Sequence, residues 1–177
     1  MRIWRLASEA YAGWLMILRG EAGWRERFSL NAAGLLSGLV IFFFAAFLAI
    51  ALGSIVLAMP DVFGVLDLLL VHAIWVLAFW ATIKATKMAL KDEVATLDLL
   101  VPGIYLLVGY LVVGSVLNLI LAPLVQLLTL LLAWPIYRLG RMATEWNKGI
   151  TAAFAAATVL LLVAVPQALY MLSSVPV

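Results

Sequence analysis

Charges are sparse along this chain and gather in short clusters, leaving long uninterrupted apolar stretches between them. A charged side chain in the middle of a hydrocarbon slab is costly, so such stretches mark candidate membrane crossings. The first runs from Ala32 to Pro60, with Asn31 placed to cap its start and Pro60-Asp61 to stop it. The second lies between Asp61 and Lys84 and carries two internal polar residues, Asp67 and His72. The third, Leu99 to Tyr137, would extend about 58 Å as one helix, far more than the ~30 Å of a bilayer core. It must fold back. The small and polar residues from Gly114-Ser115 through Asn118 to Pro123 loosen the helix there, and Pro123 suits the first turn of the next one. The last stretch follows Lys148, with Pro166 placed to kink or shorten its helix. The pattern predicts an all-α bundle over residues 29–177, with five membrane helices at approximately 32–59, 62–86, 99–118, 121–140 and 149–172.

Residues 1–28 follow a different period. At 100° per residue, Ile3, Trp4, Ala7, Ala10, Tyr11, Trp14, Ile17 and Leu18 fill one broad arc, and Arg2, Arg5, Glu9, Ala12, Met16 and Arg19 gather opposite. Gly20 then suits a C-terminal cap. This predicts an amphipathic helix and connector lying in the membrane interface, with Arg5 and Glu9 at helical pair spacing. The apolar run WLMIL is too short for a cleavable signal peptide and no small-residue cleavage site follows it. The ordinary role of such a helix is to anchor the bundle; a docking or curvature-sensing surface is the functional alternative.

The basic residues test the count of crossings independently, because Lys and Arg in short loops accumulate on the cytoplasmic side. Arg2, Arg5, Arg19, Arg25 and Arg27 precede the first membrane helix, Lys84, Lys87 and Lys91 follow the second, and Arg138, Arg141 and Lys148 follow the fourth, which accounts for all eleven. Five crossings with the N-terminus inside and the C-terminus outside place every one of them on the same face. Composition agrees. The 177 residues are 67% hydrophobic and 11% charged, with mean hydropathy +1.19, whereas soluble domains are roughly half apolar and a quarter charged. There is no room for a soluble catalytic domain, and a formal charge of +2 does not suggest nucleic acid. The absence of cysteine removes disulfides and thiol chemistry, and a single histidine removes a His-rich metal site. No cofactor or metal is expected.

Little of the chain suggests chemistry. Ser115 beside Gly114, with His72 the sole imidazole, distantly suggests an intramembrane serine nucleophile, but a small-residue pair in a membrane helix ordinarily serves packing. Only Asp67 lies at membrane depth, so a carboxylate dyad cannot form. The trio Asp92, Glu93 and Asp98 reads as a solvated loop face. Counting from Asp61, Asp67 lies about 9 Å and His72 about 16 Å into the membrane, and their spacing puts them roughly 140° apart on the helix. Their ordinary readings are a carboxylate in a shallow aqueous vestibule, bonded to backbone or hydroxyl, and a neutral imidazole bonded to Tyr105, Tyr110, Gln126 or Thr129 on another helix. Their functional reading is a relay for protons or solute. Gly34 and Gly38 form a GxxxG face that lets helices approach closely, within the chain or between chains. Trp4, Trp14, Trp24, Trp134 and Trp146 are expected as interfacial anchors, with Trp80 also near the boundary.

The order of parts over roughly residues 25–172 carries a resemblance: RERFSLNAAGLLSGLVIFFF entering the first helix, a proline-led third helix at VPGIYLLVGY, and WPIYRLGRM closing the fourth before the short amphipathic loop MATEWNKGITAA. It resembles the Yip family, the Ypt/Rab-interacting membrane proteins, in its bacterial, five-span form. The resemblance implies a compact non-enzymatic membrane protein. The long cytoplasmic domain of eukaryotic relatives is replaced here by the short helix, so a GTPase-binding role is not expected, and no functional residues carry over. The expected function is a scaffold or accessory subunit of the bacterial cytoplasmic (inner) membrane. It would be bounded by lipid and packed against another membrane protein or its own copies. A small transporter or permeation module for a proton, ion or hydrophobic solute, using Asp67 and His72, is the alternative. A vitamin-capturing uptake subunit of this size would need a sixth helix that the pattern lacks. The topology makes its own test: a reporter fused after Val177 is expected to be active only outside the cytoplasm, and cytosolic activity would overturn the five-crossing arrangement.

Overall fold

The computed structural model describes residues 2–55, 60–121 and 123–173, and every regular element among them is helical. The order is α1 (Arg2–Arg19), a single 3-10 turn (Trp24–Arg27), α2 (Ala32–Gly53), α3 (Val62–Leu90), α4 (Thr96–Leu121), α5 (Pro123–Leu131), α6 (Ala133–Ala143) and α7 (Lys148–Ser173). Five segments are long and apolar enough to cross a membrane, α5 and α6 together making the fourth, which is the architecture of a multi-pass membrane protein.

Local chemistry sets most of the ends. At α1, Gly20 takes φ +79° and the chain closes with Glu21 N donating to the Met16 carbonyl (2.9 Å) and Gly20 N to that of Ile17 (3.2 Å), the paired bonds that a left-handed glycine permits. Asn31 caps α2 by accepting from Gly34 N at 2.9 Å, and Asp61 caps α3 by accepting from Gly64 N at 2.8 Å. The helix expected over 32–59 ends at Gly53, and residues 56–59 lie outside the described residues. The third crossing begins at Thr96, so Pro102 sits inside α4 instead of leading it. The fourth is jointed at Leu132 because Pro135 has no N–H to offer the Leu131 carbonyl. Pro166 is carried within α7, which runs on to Ser173.

The packing is lopsided. α2 lies along α4, α3 along α7, and α1 crosses the ends of α4 and α6. The three connections rich in basic residues meet at one end of the bundle, here the basic end, and the core is concentrated toward it. Phe42, Phe79, Ile83, Leu99, Ile104, Ile136, Leu139 and Phe154 are all almost fully buried. At the opposite end α5 buries no residue, and the buried residues of α3 begin only at Ala78. Threonines carried into the core satisfy themselves one turn back: Thr82 donates to Ala78 (2.7 Å), Thr151 to Asn147 (2.9 Å) and Thr158 to Phe154 (2.8 Å). No unpaired hydroxyl is left to hydrocarbon there.

The α1 segment departs from expectation. Ala10, Trp14 and Ile17 are buried in protein, leaving Trp4 and Tyr11 exposed on another part of the apolar arc. The indole of Trp14 donates to the Pro102 carbonyl of α4 at 3.0 Å. Glu9 pairs not with Arg5 but with Arg27, at 2.9 Å. The anchoring girdle therefore divides. Trp4 and Trp134 are exposed, whereas Trp14, Trp24 and Trp146 are at most 9% exposed and serve as core residues, because the connectors fold back over the bundle and cover them.

Close approach between helices depends on glycines. The Phe79 ring lies flat enough on Gly103 that a Cβ there would sit 2.0 Å from it, and a Cβ on Gly140 would meet Thr151 Cγ2 at 2.7 Å. Of the GxxxG pair, Gly38 faces Ile104 and Tyr105 of α4, and Gly34 faces the Ser29 carbonyl of its own chain. Both are spent inside the molecule. Gly103→Ala should lower unfolding stability by about 1–3 kcal/mol through overpacking, while Gly109→Ala, which has nothing within 4 Å of its Cβ position, should preserve it or raise it by up to about 1 kcal/mol through the better helix propensity of Ala. Thermal unfolding in detergent checks the pair, and equal effects would refute the close approach.

Candidate functional site

The stripe Leu68, His72, Trp75, Phe79 recurs at helical spacing along one face of α3. His72 is half-buried and its Nδ1 lies 2.7 Å from the Leu68 carbonyl of its own helix. The partner expected on another helix is not used, because one turn back on α3 is within reach and the ring is held against Trp75 with centroids 5.0 Å apart. Trp75 meets Tyr110 of α4 edge-on at 5.4 Å, and the Tyr110 hydroxyl pairs with Thr129 Oγ1 at 2.7 Å. Thr129 in turn donates to the Val125 carbonyl at 2.9 Å. The result is a polar and aromatic chain crossing α3, α4 and α5 in the middle of the bundle.

Asp67 is elsewhere. It is exposed on the outer face of α3 and its carboxylate makes no hydrogen bond or ion pair among the described residues. The expected bond to backbone or hydroxyl is not made among the described residues, where the side chain is exposed. Thus Asp67 and His72 do not share a site. Ser115 and His72 do line one cavity of about 170 Å³, yet the Ser115 hydroxyl is committed to the Leu111 carbonyl at 2.6 Å. Toward the basic end the stripe closes: Phe79 is 1% exposed, packed on Gly103 and 6.2 Å from the Phe154 ring.

A second polar constellation occupies the basic end. Arg25 donates through Nε to Asp98 at 2.9 Å and through Nη2 to the Ala143 carbonyl at 3.0 Å, and its guanidinium stacks 4.7 Å from the Trp24 ring centroid. Asp92 accepts from the Trp146 indole and from Val94 N (2.9 Å), while Arg141 donates to the Trp146 carbonyl. Lys87 reaches the Val94 carbonyl and Thr96 Oγ1. Asp92 and Asp98 are therefore not a solvated loop face; they tie the α3–α4 connection to the α1–α2 and α6–α7 connections. An open cavity of about 870 Å³ lies over them, edged by Lys91, Glu93, Glu145 and Asn147. The one sequence signal bearing on this network was the clustering of basic residues in three connections, which led to the expectation that those connections lie at the same end of the bundle.

No family model matches the chain, and no curated protein or solved structure matches it. Arg25→Ala should cost about 1–2 kcal/mol, the worth of charge-assisted bonds discounted for a half-exposed guanidinium. Arg27→Ala, which breaks only an exposed pair with Glu9, should cost under about 0.5 kcal/mol. Chemical unfolding of the two variants side by side measures the difference, and equal losses would remove Arg25 from its linking role.

Proposed function

We propose that the chain is a non-enzymatic integral membrane scaffold or accessory subunit that packs against another membrane protein or its own copies. In this reading it has the Yip-like order of parts described from its sequence and lies in a bacterial cytoplasmic membrane. The basic end would face the cytoplasm and the exposed Trp4 and Tyr11 of α1 would meet the headgroups. The observation that carries the proposal is the lopsided packing. One end is tied by charge-assisted bonds into a fixed platform, while at the other no described residue of α5 and none of α3 before Ala78 is fully buried. Between helices in lipid, association rests on close packing more than on hydrophobic driving force, so helix faces left exposed within the chain are available surfaces for a neighbour. Leu127, Leu130 and Leu131 of α5 and Val112, Val116 and Ile120 of α4 are among the exposed apolar residues there. Passage of a proton, ion or solute by way of Asp67 and His72 has less support, since the two residues face different surroundings and Phe79 blocks the interior below Trp75.

Protein extracted from its native membrane in mild detergent is expected to have a protein mass well above the 19.3 kDa of one chain. Replacing Leu127, Leu130 and Leu131 together by Phe, which keeps the span apolar, is expected to reduce that mass without loss of folding. A single chain in every mild detergent and in nanodiscs formed directly from the membrane would sink the proposal.

A further inference from the structure

Among the described residues three basic side chains are half-buried: Lys87 of α3 and Arg138 and Arg141 of α6. Lys87 reaches the Val94 carbonyl and Arg141 that of Trp146. Arg138 differs, because no hydrogen bond or ion pair is made to it among the described residues. Its Nε is enclosed, while the terminal nitrogens, equally without a partner, keep accessible surface. A cation taken partly out of water with no acceptor is costly. The guanidinium reaches over to the end of α1, where a Cβ placed on Gly20 would lie 2.8 Å from Nη2. That neighbour supplies the negative end of a helix dipole, a fraction of a full counter-charge. Glu21, the next residue along, lies 3.7 Å from Arg19 and makes no pair with Arg138. One turn back on the same face of α6, Trp134 is 60% exposed and its ring stacks on Tyr137 with centroids 6.1 Å apart. The whole group stands toward the basic end of the fourth crossing, Pro123–Ala143, where hydrocarbon gives way to headgroups.

We infer that the junction of α1 and α6 binds the phosphate of an anionic membrane lipid, held by the terminal nitrogens of Arg138, with the upper acyl chain lying along Trp134. A guanidinium fork matches two phosphate oxygens at once. The source is a lipid because the arginine stands at the edge of the hydrocarbon, and the exposed indole beside it offers an acyl chain an apolar face. An anionic headgroup is selected over a zwitterionic one, which brings its own cation to the phosphate and leaves less charge for the arginine. The inference stands on Arg138 and its surroundings and is independent of whether the chain packs with other proteins.

The test titrates the full chain in mild detergent with dioleoylphosphatidylglycerol or dioleoylphosphatidylcholine, which share their acyl chains, and counts bound lipid by native mass spectrometry. The first phosphatidylglycerol is expected to bind about tenfold more tightly, the preference that a charge-assisted hydrogen bond provides. Arg138→Gln should reduce that preference to under about threefold, whereas Lys84→Gln, which removes an equal charge from an exposed position on α3, should keep it within about twofold of the unsubstituted protein. Glycerol phosphate in large excess, the same anion without acyl chains, should leave the lipid bound. Displacement by it would make the ligand a free phosphate and overturn the lipid assignment. Equal affinity for the two lipids would also overturn the inference, as would equal losses in the two variants, the mark of a diffuse charge effect. Should Arg138→Gln fail to fold, one equivalent of phosphatidylglycerol with dibrominated chains locates the site: its quenching of tryptophan fluorescence should fall away in Trp134→Phe, and quenching undiminished there would sink the proposal.

Discussion

The guanidinium of Arg25 is the point at which three separately threaded connections meet. It bonds to Asp98 at the start of α4 and to the last carbonyl of α6 while resting on the ring of Trp24 in its own segment. Arginine suits this position because its planar fork can hold a carboxylate and a carbonyl at once, which a lysine ammonium does less well. Around it the Trp146 indole bonds Asp92 across the α6–α7 and α3–α4 connections, while Arg141 and Lys87 brace each of those connections from within. Membrane helices gain little by mutual hydrophobic attraction, so fixing their ends outside the hydrocarbon is an effective way to hold their register. The core then forms where the ends are fixed, and thins with distance from them.

Register is read by contacts that tolerate no added atom. Phe79 on Gly103 joins α3 to α4, Thr151 on Gly140 joins α7 to α6, and Phe28 against Gly13 presses the connector onto α1. These are aromatic or branched side chains lying on bare backbone, the packing mode that dispersion favours when a neighbour can approach within van der Waals distance. They explain why the basic half is dense. No comparable contact occurs along α5, whose described residues bury nothing.

The crossings were legible because hydrocarbon excludes charge: the uncharged runs, the caps at Asn31 and Asp61 and the opening of α5 at Pro123 could all be placed from residue type alone. The direction in which buried polar groups turn was not. His72 could be assigned depth by counting from Asp61, but its partner depended on rotamer and on Trp75, one turn away, and the carbonyl of Leu68 was within reach without leaving the helix. Asp92 and Asp98 looked solvated because loops near lysines usually are. Nothing in their spacing revealed that Arg25, 73 residues from Asp98 in sequence, would fold over them. The burial of Trp14, Trp24 and Trp146 was not legible for the same reason. An indole near a membrane boundary suits the headgroups or a core folded over that boundary, and only the path of the connectors separates Trp134 from Trp146.

The bond from Trp14 to the Pro102 carbonyl spans 88 residues, and this fixes an order of events during synthesis. α1 precedes all of its packing partners in the chain: besides the 3-10 turn that follows it, it rests on α4 and on the much later α6. Until those helices are in place, only the 3-10 turn and Phe28 of its own connector are there for it to pack on. Docking of α1 is thus a closing step of assembly, and the chain carries at its beginning the piece that it can seat only near its end.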